Sequence, residues 1–130
     1  MEKKEILVVD DDIVTLNMLK TTIAGAGYEV LPAASGREAL RISKEHSPFV
    51  IVLDIMLPDV DGGEVANILK KDPKTKDIPI IFLSSLISEK DEKTGNKKDL
   101  YSFLSKPYNR EKLLNEIRQC LYRADSANPI

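Results

Sequence analysis

The chain has 130 residues, which is the length of one domain and is enough for a substantial hydrophobic core. Its hydrophobic fraction of 42% and charged fraction of 31% argue against a disordered chain, and its net charge of −2 gives no attraction for nucleic acid or an anionic membrane. One cysteine, Cys120, excludes an internal disulfide and a multi-cysteine metal site. We expect a single domain over residues 1–124 and a frayed tail over residues 125–130.

Short apolar runs alternate with helical patterns along the whole sequence. Three runs are nearly continuous Val, Ile, Leu and Phe, which is typical of parallel strands covered on both faces. Helices are placed after Ser, Asp or Asn, whose side chains cap the free N–H groups of a first turn. In chain order, the patterns predict a strand at 6–9, a helix at 13–25, a strand at 29–33, a helix from Ser35, a strand at 49–53, a helix from Asp61, strands at 78–83 and 101–105, and a helix from Asn109. The fold class is therefore α/β, a doubly wound sheet of five parallel strands.

The stretch SEKDEKTGNKKD, residues 88–99, interrupts this regularity. It contains no large apolar residue and has Gly95 in its middle, so a helix there would have no apolar stripe with which to pack. We expect a short, frayed or mobile segment. An ordinary solvated connection and a functional segment fit the pattern about equally well.

No segment of the sequence suggests export or membrane insertion. Only four apolar residues, 6–9, precede the first charge after the N-terminal lysines, which is too few for a secretory signal. The longest apolar runs, FVIVL and IPIIFL, are far shorter than a membrane span. We therefore expect a cytoplasmic protein without a membrane partner.

Polar side chains follow four of the predicted strands, at the point where each strand ends. They are Asp10-Asp11-Asp12, Asp54, Ser84-Ser85 and Lys106-Pro107. Ligands of open parallel sheets bind beyond the carboxyl ends of the strands, so these side chains are predicted to lie along one edge. If the first and third strands are neighbours, about 4.8 Å apart, Asp11 and Asp54 share one small site. Taken alone, three aspartates in a row would more often cap a helix, and Asp12 is expected to do so.

The residue types at this edge favour phosphoryl chemistry. Clustered carboxylates with backbone oxygen are the ligands that Mg²⁺ prefers, and a cation would offset the repulsion between them. One carboxylate can attack a phosphoryl group and form an aspartyl phosphate. Lys106 could hold one phosphoryl oxygen, and the Ser84 hydroxyl could donate to another. The sequence has no glycine-rich phosphate loop, so a nucleotide pocket is not indicated.

Four motifs, ILVVDDD, VLDIMLPDVDG, IPIIFLSS and FLSKPY, occur in an order that resembles the receiver domain of two-component response regulators. The resemblance covers about residues 5–122. It implies a flavodoxin-like (βα)5 receiver fold with strand order 2-1-3-4-5, in which Asp54 is the phosphoacceptor. By the same resemblance, Asp10, Asp11 and Asp54 form the metal site, together with the main-chain carbonyl of Met56, and the cofactor is Mg²⁺ or, in its place, Mn²⁺.

The resemblance also implies how a phosphoryl group would be held and sensed. Ser84 and Lys106 correspond to the phosphoryl-binding hydroxyl and ammonium groups, and Phe103 occupies the aromatic switch position. Pro107 is expected after a cis peptide bond, and Ser85 stands where the family usually has Ala or Gly.

Two positions in the family influence how fast the phosphoryl group is lost, and they correspond to Met56 and Leu86. Both are apolar here, which predicts slow self-dephosphorylation. The chain would catalyse only its own phosphorylation and this slow reversal, and is otherwise not an enzyme.

The implied partners are a sensor histidine kinase or a histidine phosphotransfer protein as donor, and an unidentified downstream target or output domain. The output would use the face formed by the family's fourth helix, fifth strand and fifth helix (α4-β5-α5), through which many receivers also form phosphorylation-dependent homodimers. Segment 88–99 departs most from the sequence that is usual for the family's fourth helix.

Two other functions stay open at this point. Asp10-x-Asp12-x-Val14 fits the DxDx[TV] pattern of Mg²⁺ phosphatases of the haloacid dehalogenase kind, with Asp10 as nucleophile and Asp12 as general acid and base. That assignment leaves Asp54 without a role. A receiver-like protein-binding module that works without phosphorylation would share the fold, and the polar segment 88–99 mildly favours it.

Overall fold

The computed structural model describes residues 3–85 and 101–127, with side chains described as far as residue 122. Five parallel strands form one sheet in the order β2-β1-β3-β4-β5, as predicted. The strands are β1 (Glu5–Val9), β2 (Glu29–Ala33), β3 (Val50–Asp54), β4 (Ile80–Ser84) and β5 (Tyr101–Ser105). The helices are α1 (Ile13–Gly25), α2 (Gly36–His46), α3 (Gly62–Lys71) and a last helix (Arg110–Ala127).

Helices cover both faces of the sheet, which is why the central strands are apolar up to their last residues, Asp54 and Ser84. β3 and β4 are buried along their whole length. One face packs against α1 and the last helix, where Leu19 and Ile117 are fully buried, and the other packs against α2 and α3. Cys120 lies in the first of these clusters with 1% of its surface exposed, so it is a packing residue.

Each predicted cap begins its helix. Asp12 accepts the N–H of Val14 at 3.2 Å, and Ser35 accepts the N–H of Glu38 at 3.2 Å. Asp61 accepts the N–H of Gly63 at 2.7 Å, and the Asn109 side chain accepts the N–H of Glu111 at 2.9 Å. These bonds satisfy amide groups that have no partner within the helix itself, so short polar residues there fix where helices start.

Three details bear on the sequence predictions. The third and fourth strands lie one to two residues later than predicted, so that Asp54 and Ser84 are the last residues of their strands. The last helix continues through Ala127, into the range 125–130 predicted as a tail. Segment 88–99 and Leu86 lie outside the described residues, so the predictions made for them stay predictions.

Within the part of the chain that the structure describes, no helix has the length and hydropathy needed to cross a membrane.

Candidate functional site

The sheet register brings the predicted site residues to one edge. Val9, the last residue of β1, pairs with Leu53, so Asp10 and Asp54 follow on neighbouring strands. On β4 and β5, Ser84 pairs with Ser105, so Lys106 comes directly after that row. Because all the strands are parallel, their carboxyl ends meet here, as the sequence predicted.

Three carboxylates converge at this edge. Asp10, Asp11 and Asp54 each offer an oxygen atom, and these atoms all lie within 4.8 Å of one another. Asp10 is 1% exposed and Asp54 is 7% exposed, whereas Asp11 is open to solvent. Hard oxygen donors at this spacing fit a divalent cation such as Mg²⁺, which takes few protein carboxylates and keeps several waters.

The Lys106 ammonium joins the two buried carboxylates. Its Nζ donates to Asp10 Oδ2 at 2.8 Å and to Asp54 Oδ2 at 3.1 Å. Burial alone would lower the pKa of Lys106, but the hydrogen bonds and negative charges of Asp10 and Asp54 outweigh it and raise the pKa above 10.5. Lys106 therefore stays charged at neutral pH and partly neutralises the pair.

For Asp54, the effect of burial on the pKa outweighs the effects of the hydrogen bonds and of the Lys106 charge. Burial of the carboxyl raises the pKa of Asp54 above its ordinary 3.8, against the lowering effects of the Met56 N–H and of Lys106. The Met56 N–H donates to Asp54 Oδ1 at 3.1 Å, so the Met56 backbone lies beside the carboxylate cluster. An ionised Asp54 is thus accommodated at a net cost to the fold.

This cost predicts how Asp54→Asn changes stability in the absence of metal. Because the folded-state pKa is raised, the folded protein holds the Asp54 proton more tightly, and stability is lost as the pH rises through that pKa. Asp54→Asn removes this loss, so urea unfolding in a chelator should show a more stable variant at neutral pH. The advantage should shrink towards zero as the pH falls to the ordinary value of 3.8. If Asp54→Asn were less stable than wild type at neutral pH, ionised Asp54 would not carry a net cost to the fold.

The remaining predicted residues surround the cluster. Ser84 is 1% exposed, and its carbonyl accepts the Lys106 N–H at 3.0 Å. The Lys106–Pro107 peptide bond is cis, as predicted. Ser85 is exposed and lines, with Lys106 and Pro107, a groove of about 560 Å³ beside α1. The candidate phosphoryl-binding residues Ser84 and Lys106 therefore lie at the same edge of the sheet as the acidic cluster.

Phe103, at the predicted switch position, is half-buried on β5. Its ring stacks on Phe82 with the ring centroids 5.2 Å apart, and Phe82 meets Tyr101 edge to face at 5.5 Å. A cavity of about 310 Å³, lined by these three rings and by Ile55, lies between the strands and α3. Phe103 thus lies on the strand that leads directly to Lys106.

Residues 6–118 match the family described as "Response regulator receiver domain". The chain belongs to the response regulator receiver family. This confirms the resemblance drawn from the motifs: the chain is a receiver domain of the kind used in two-component signalling.

Curated relatives of this receiver have different lengths. It is 38% identical over 128 residues to "Probable transcriptional regulator ycf27" of Porphyridium aerugineum, covering 98% of this chain and 52% of that protein. It is 31% identical over 118 residues to "Polar-differentiation response regulator DivK" of Brucella ovis, covering 91% of this chain and 96% of DivK. This chain therefore spans about half the length of the first relative and nearly all of the second.

A solved structure agrees with the fold. The response regulator receiver domain protein (CheY-like) from Methanospirillum hungatei superimposes with a TM-score of 0.84 at 26% identity, covering 98% of this chain and 100% of the other. The flavodoxin-like receiver fold predicted from the sequence is confirmed.

Asp12 is not part of the carboxylate cluster of Asp10, Asp11 and Asp54, and its carboxylate faces the start of α1. Its Oδ2 accepts the Thr15 hydroxyl at 2.7 Å and its Oδ1 accepts the Val14 N–H. The Thr15 hydroxyl and then the Val14 N–H lower the pKa of Asp12. Asp12 is therefore a helix cap, as predicted.

Sequence reasoning missed two residues that shape the receiver's site. Asp59 accepts the N–H groups of Gly36 and Arg37, at 2.9 and 3.1 Å. Gly62 packs so closely on β3 that a Cβ atom there would lie 2.5 Å from the Asp54 carbonyl oxygen. The motif VLDIMLPDVDG contains both residues, but the partner of Asp59 lies 23 residues earlier, so spacing alone gave no sign of the contact.

Proposed function

We propose that this receiver is a phosphorylation-controlled switch in which Asp54 accepts a phosphoryl group. The donor would be a phosphohistidine on a sensor histidine kinase or a histidine phosphotransfer protein. The Lys106 ammonium carries the proposal, because it binds buried Asp10 and Asp54 at 2.8 and 3.1 Å within the carboxylate cluster. A nucleophilic carboxylate held by a fixed cation is the positioning that phosphoryl transfer to aspartate needs.

In the proposed transfer, an Asp54 carboxylate oxygen attacks phosphorus, forming an O–P bond while the P–N bond to histidine breaks. The imidazole keeps the electron pair of the broken bond and takes up a proton. Asp10, Asp11 and Asp54, with the Met56 carbonyl, would hold Mg²⁺ or Mn²⁺, which fits their oxygen donors. When bound, the cation neutralises charge on the phosphoryl oxygens. Lys106 stays charged throughout and can turn from Asp54 to a phosphoryl oxygen.

The switch would act through β4, which lies next to the Asp54 strand β3, and through β5, which lies next to β4. Ser84 ends β4 and Lys106 follows β5, so a phosphoryl group that both residues bind would draw the ends of these strands towards Asp54. Phe103 lies on β5 three residues before Lys106, and would turn inward as Ser84 moves. These movements would change the face that includes β5 and the last helix, and a partner or output domain would bind to that face.

The surface around the site supports a protein donor. Ile13 and Val14 are each 62% exposed at the start of α1, Met18 is 55% exposed, and Met56 is 61% exposed beside the cluster. Large apolar side chains left in water around a polar centre are typical of protein-binding surfaces. The groove beside Met18 and Pro107 would receive side chains of the donor.

Loss of the phosphoryl group is predicted to be slow, because Met56 offers no polar atom in its side chain to orient an attacking water. Met56→Asn should shorten the half-life of the phosphorylated protein several-fold, measured by intact mass after the donor is removed. Met18→Asn is the matched control, since Met18 is a similarly exposed methionine on α1. A wild-type half-life of seconds that Met56→Asn does not shorten would contradict this prediction. A polar replacement at Leu86 should likewise shorten the half-life, measured in the same way.

The geometry favours this proposal over a phosphatase. A phosphatase of the haloacid dehalogenase kind would need Asp12 as general acid and base, but both oxygens of Asp12 serve α1. We further propose that the receiver catalyses only its own phosphorylation and dephosphorylation. Sustained hydrolysis of a phosphate monoester, in excess over the protein and dependent on Asp10, would favour the phosphatase instead.

The switch is tested by amide hydrogen exchange on the wild type, with and without Mg²⁺ and beryllofluoride as a phosphoryl mimic. We expect increased protection at the ends of β4 and β5 when both are present, and no change in Asp54→Asn. Equal exchange in all samples, despite bound beryllofluoride, would favour a binding module that works without phosphorylation.

A further inference from the structure

The loop from Ile55 to Asp61 follows the proposed phosphoacceptor and carries Met56. At its near end, the Met56 N–H donates to Asp54 Oδ1 at 3.1 Å. The Gly62 N–H donates to the Ile55 carbonyl at 2.7 Å, which closes the loop on itself. These bonds set the loop against β3, but they leave its outer half to be held by another element.

Asp59 holds that outer half to α2. Its two carboxylate oxygens accept the N–H groups of Gly36 and Arg37, the first two residues of the helix. Ser35 takes the N–H of Glu38, so two side chains together satisfy three amides that the helix cannot pair. The Gly36 and then the Arg37 N–H groups lower the pKa of Asp59, as expected for a carboxylate at a helix N-terminus.

The loop also packs closely against the first turn of α2. A Cβ atom at Gly36 would lie 3.0 Å from the Val60 Cβ and 3.0 Å from a Val65 methyl group. Gly36 is itself buried. The loop is therefore fixed on one side by β3 and on the other by the first turn of α2.

We propose that Asp59 is a positioning residue that, by tying the loop to α2, holds the Met56 backbone against Asp54 and so strengthens Mg²⁺ binding. The inference rests on the proposed function, in which the Met56 carbonyl is a metal ligand. A main-chain ligand costs less to order when its loop is already fixed, and groups that orient metal ligands commonly change metal affinity by tenfold or more. Asp59 touches neither the metal nor the phosphoryl group.

The test compares Asp59→Ala with two controls by calorimetric titration with Mg²⁺. Ser35→Ala removes the other side-chain cap of α2 without touching the loop. Glu64→Gln removes an exposed negative charge from the first turn of α3. Asp59→Ala should raise the Mg²⁺ dissociation constant about tenfold, whereas both controls should change it less than about twofold.

Hydrogen exchange without Mg²⁺ separates the possible failures. Asp59→Ala should speed exchange of the Met56 amide, which donates to Asp54, while Ser35→Ala leaves it unchanged. If wild type binds Mg²⁺ and Asp59→Ala binds it with equal affinity, the inference is overturned and the proposed function is left intact. Equal weakening in Asp59→Ala and Ser35→Ala would overturn it too, since the effect would then belong to α2. A wild type that binds no Mg²⁺ would overturn both.

Discussion

Lys106→Met is expected to lower the free energy of unfolding of the metal-free protein by about 3 kcal/mol at neutral pH. The variant keeps most of the apolar volume of the side chain but leaves Asp10 and Asp54 without their shared cation. Asp10 is 1% exposed, so water replaces the ammonium group only in part. Urea unfolding in the presence of a chelator measures the loss.

Two further results distinguish a lost counterion from lost packing. The double variant Lys106→Met, Asp54→Asn should recover part of the stability, because one of the uncompensated charges is gone. Mg²⁺ should stabilise Lys106→Met more than it stabilises the wild type, since the ammonium no longer competes for the carboxylates. Lys76→Met, at an exposed lysine, should change stability by less than about 0.5 kcal/mol. Equal losses in Lys106→Met and in the double variant would contradict the electrostatic explanation.

Gly62→Ala is expected to destabilise the protein by about 2 to 3 kcal/mol and to weaken Mg²⁺ binding strongly. The new Cβ would lie 2.5 Å from the Asp54 carbonyl oxygen and 2.7 Å from the Ile55 Cα. Both are backbone atoms, so the loop or α3 has to move, and the backbone of Asp54 moves with it. Urea unfolding and calorimetric titration measure the two effects.

The neighbouring glycine provides the control. Among the described residues, a Cβ at Gly63 would meet only the Asp61 Oδ1, at 3.3 Å, which is the end of a side chain. Gly63→Ala replaces a glycine by a better helix former and should be neutral or stabilising by up to about 1 kcal/mol. Similar losses in both variants would show that the steric argument at Gly62 is wrong.

The convergence of the site was predictable because it depends on features that a sequence displays locally. Apolar runs marked the strands, and parallel strands place their carboxyl ends at one edge, so Asp10, Asp54, Ser84 and Lys106 were expected there. Short polar residues at Ser35, Asp61 and Asn109 marked helix starts for an equally local reason. The third and fourth strands were placed too early, since the ends of apolar runs do not define the last ladder hydrogen bond.

The sequence did not show which of the side chains at this edge of the sheet contact one another. Lys106 lies 96 residues from Asp10 and 52 from Asp54, and nothing local decides whether it bridges both or neither. The contact of Asp59 with α2 and the close packing of Gly62 likewise depend on the distance between two elements, which only the assembled core determines. Side chains that act between elements are therefore the part of a site that sequence patterns miss.

The central claim, that Asp54 accepts a phosphoryl group in a Mg²⁺-dependent reaction, is tested most directly by intact mass. Wild type, Asp54→Asn and Asp10→Asn are incubated with a small acyl phosphate or phosphoramidate donor, with and without Mg²⁺. We predict that wild type gains one phosphoryl group only with Mg²⁺, and that Asp54→Asn gains none. A gain that survives in Asp54→Asn and disappears in Asp10→Asn would contradict the account and point to Asp10 as the nucleophile.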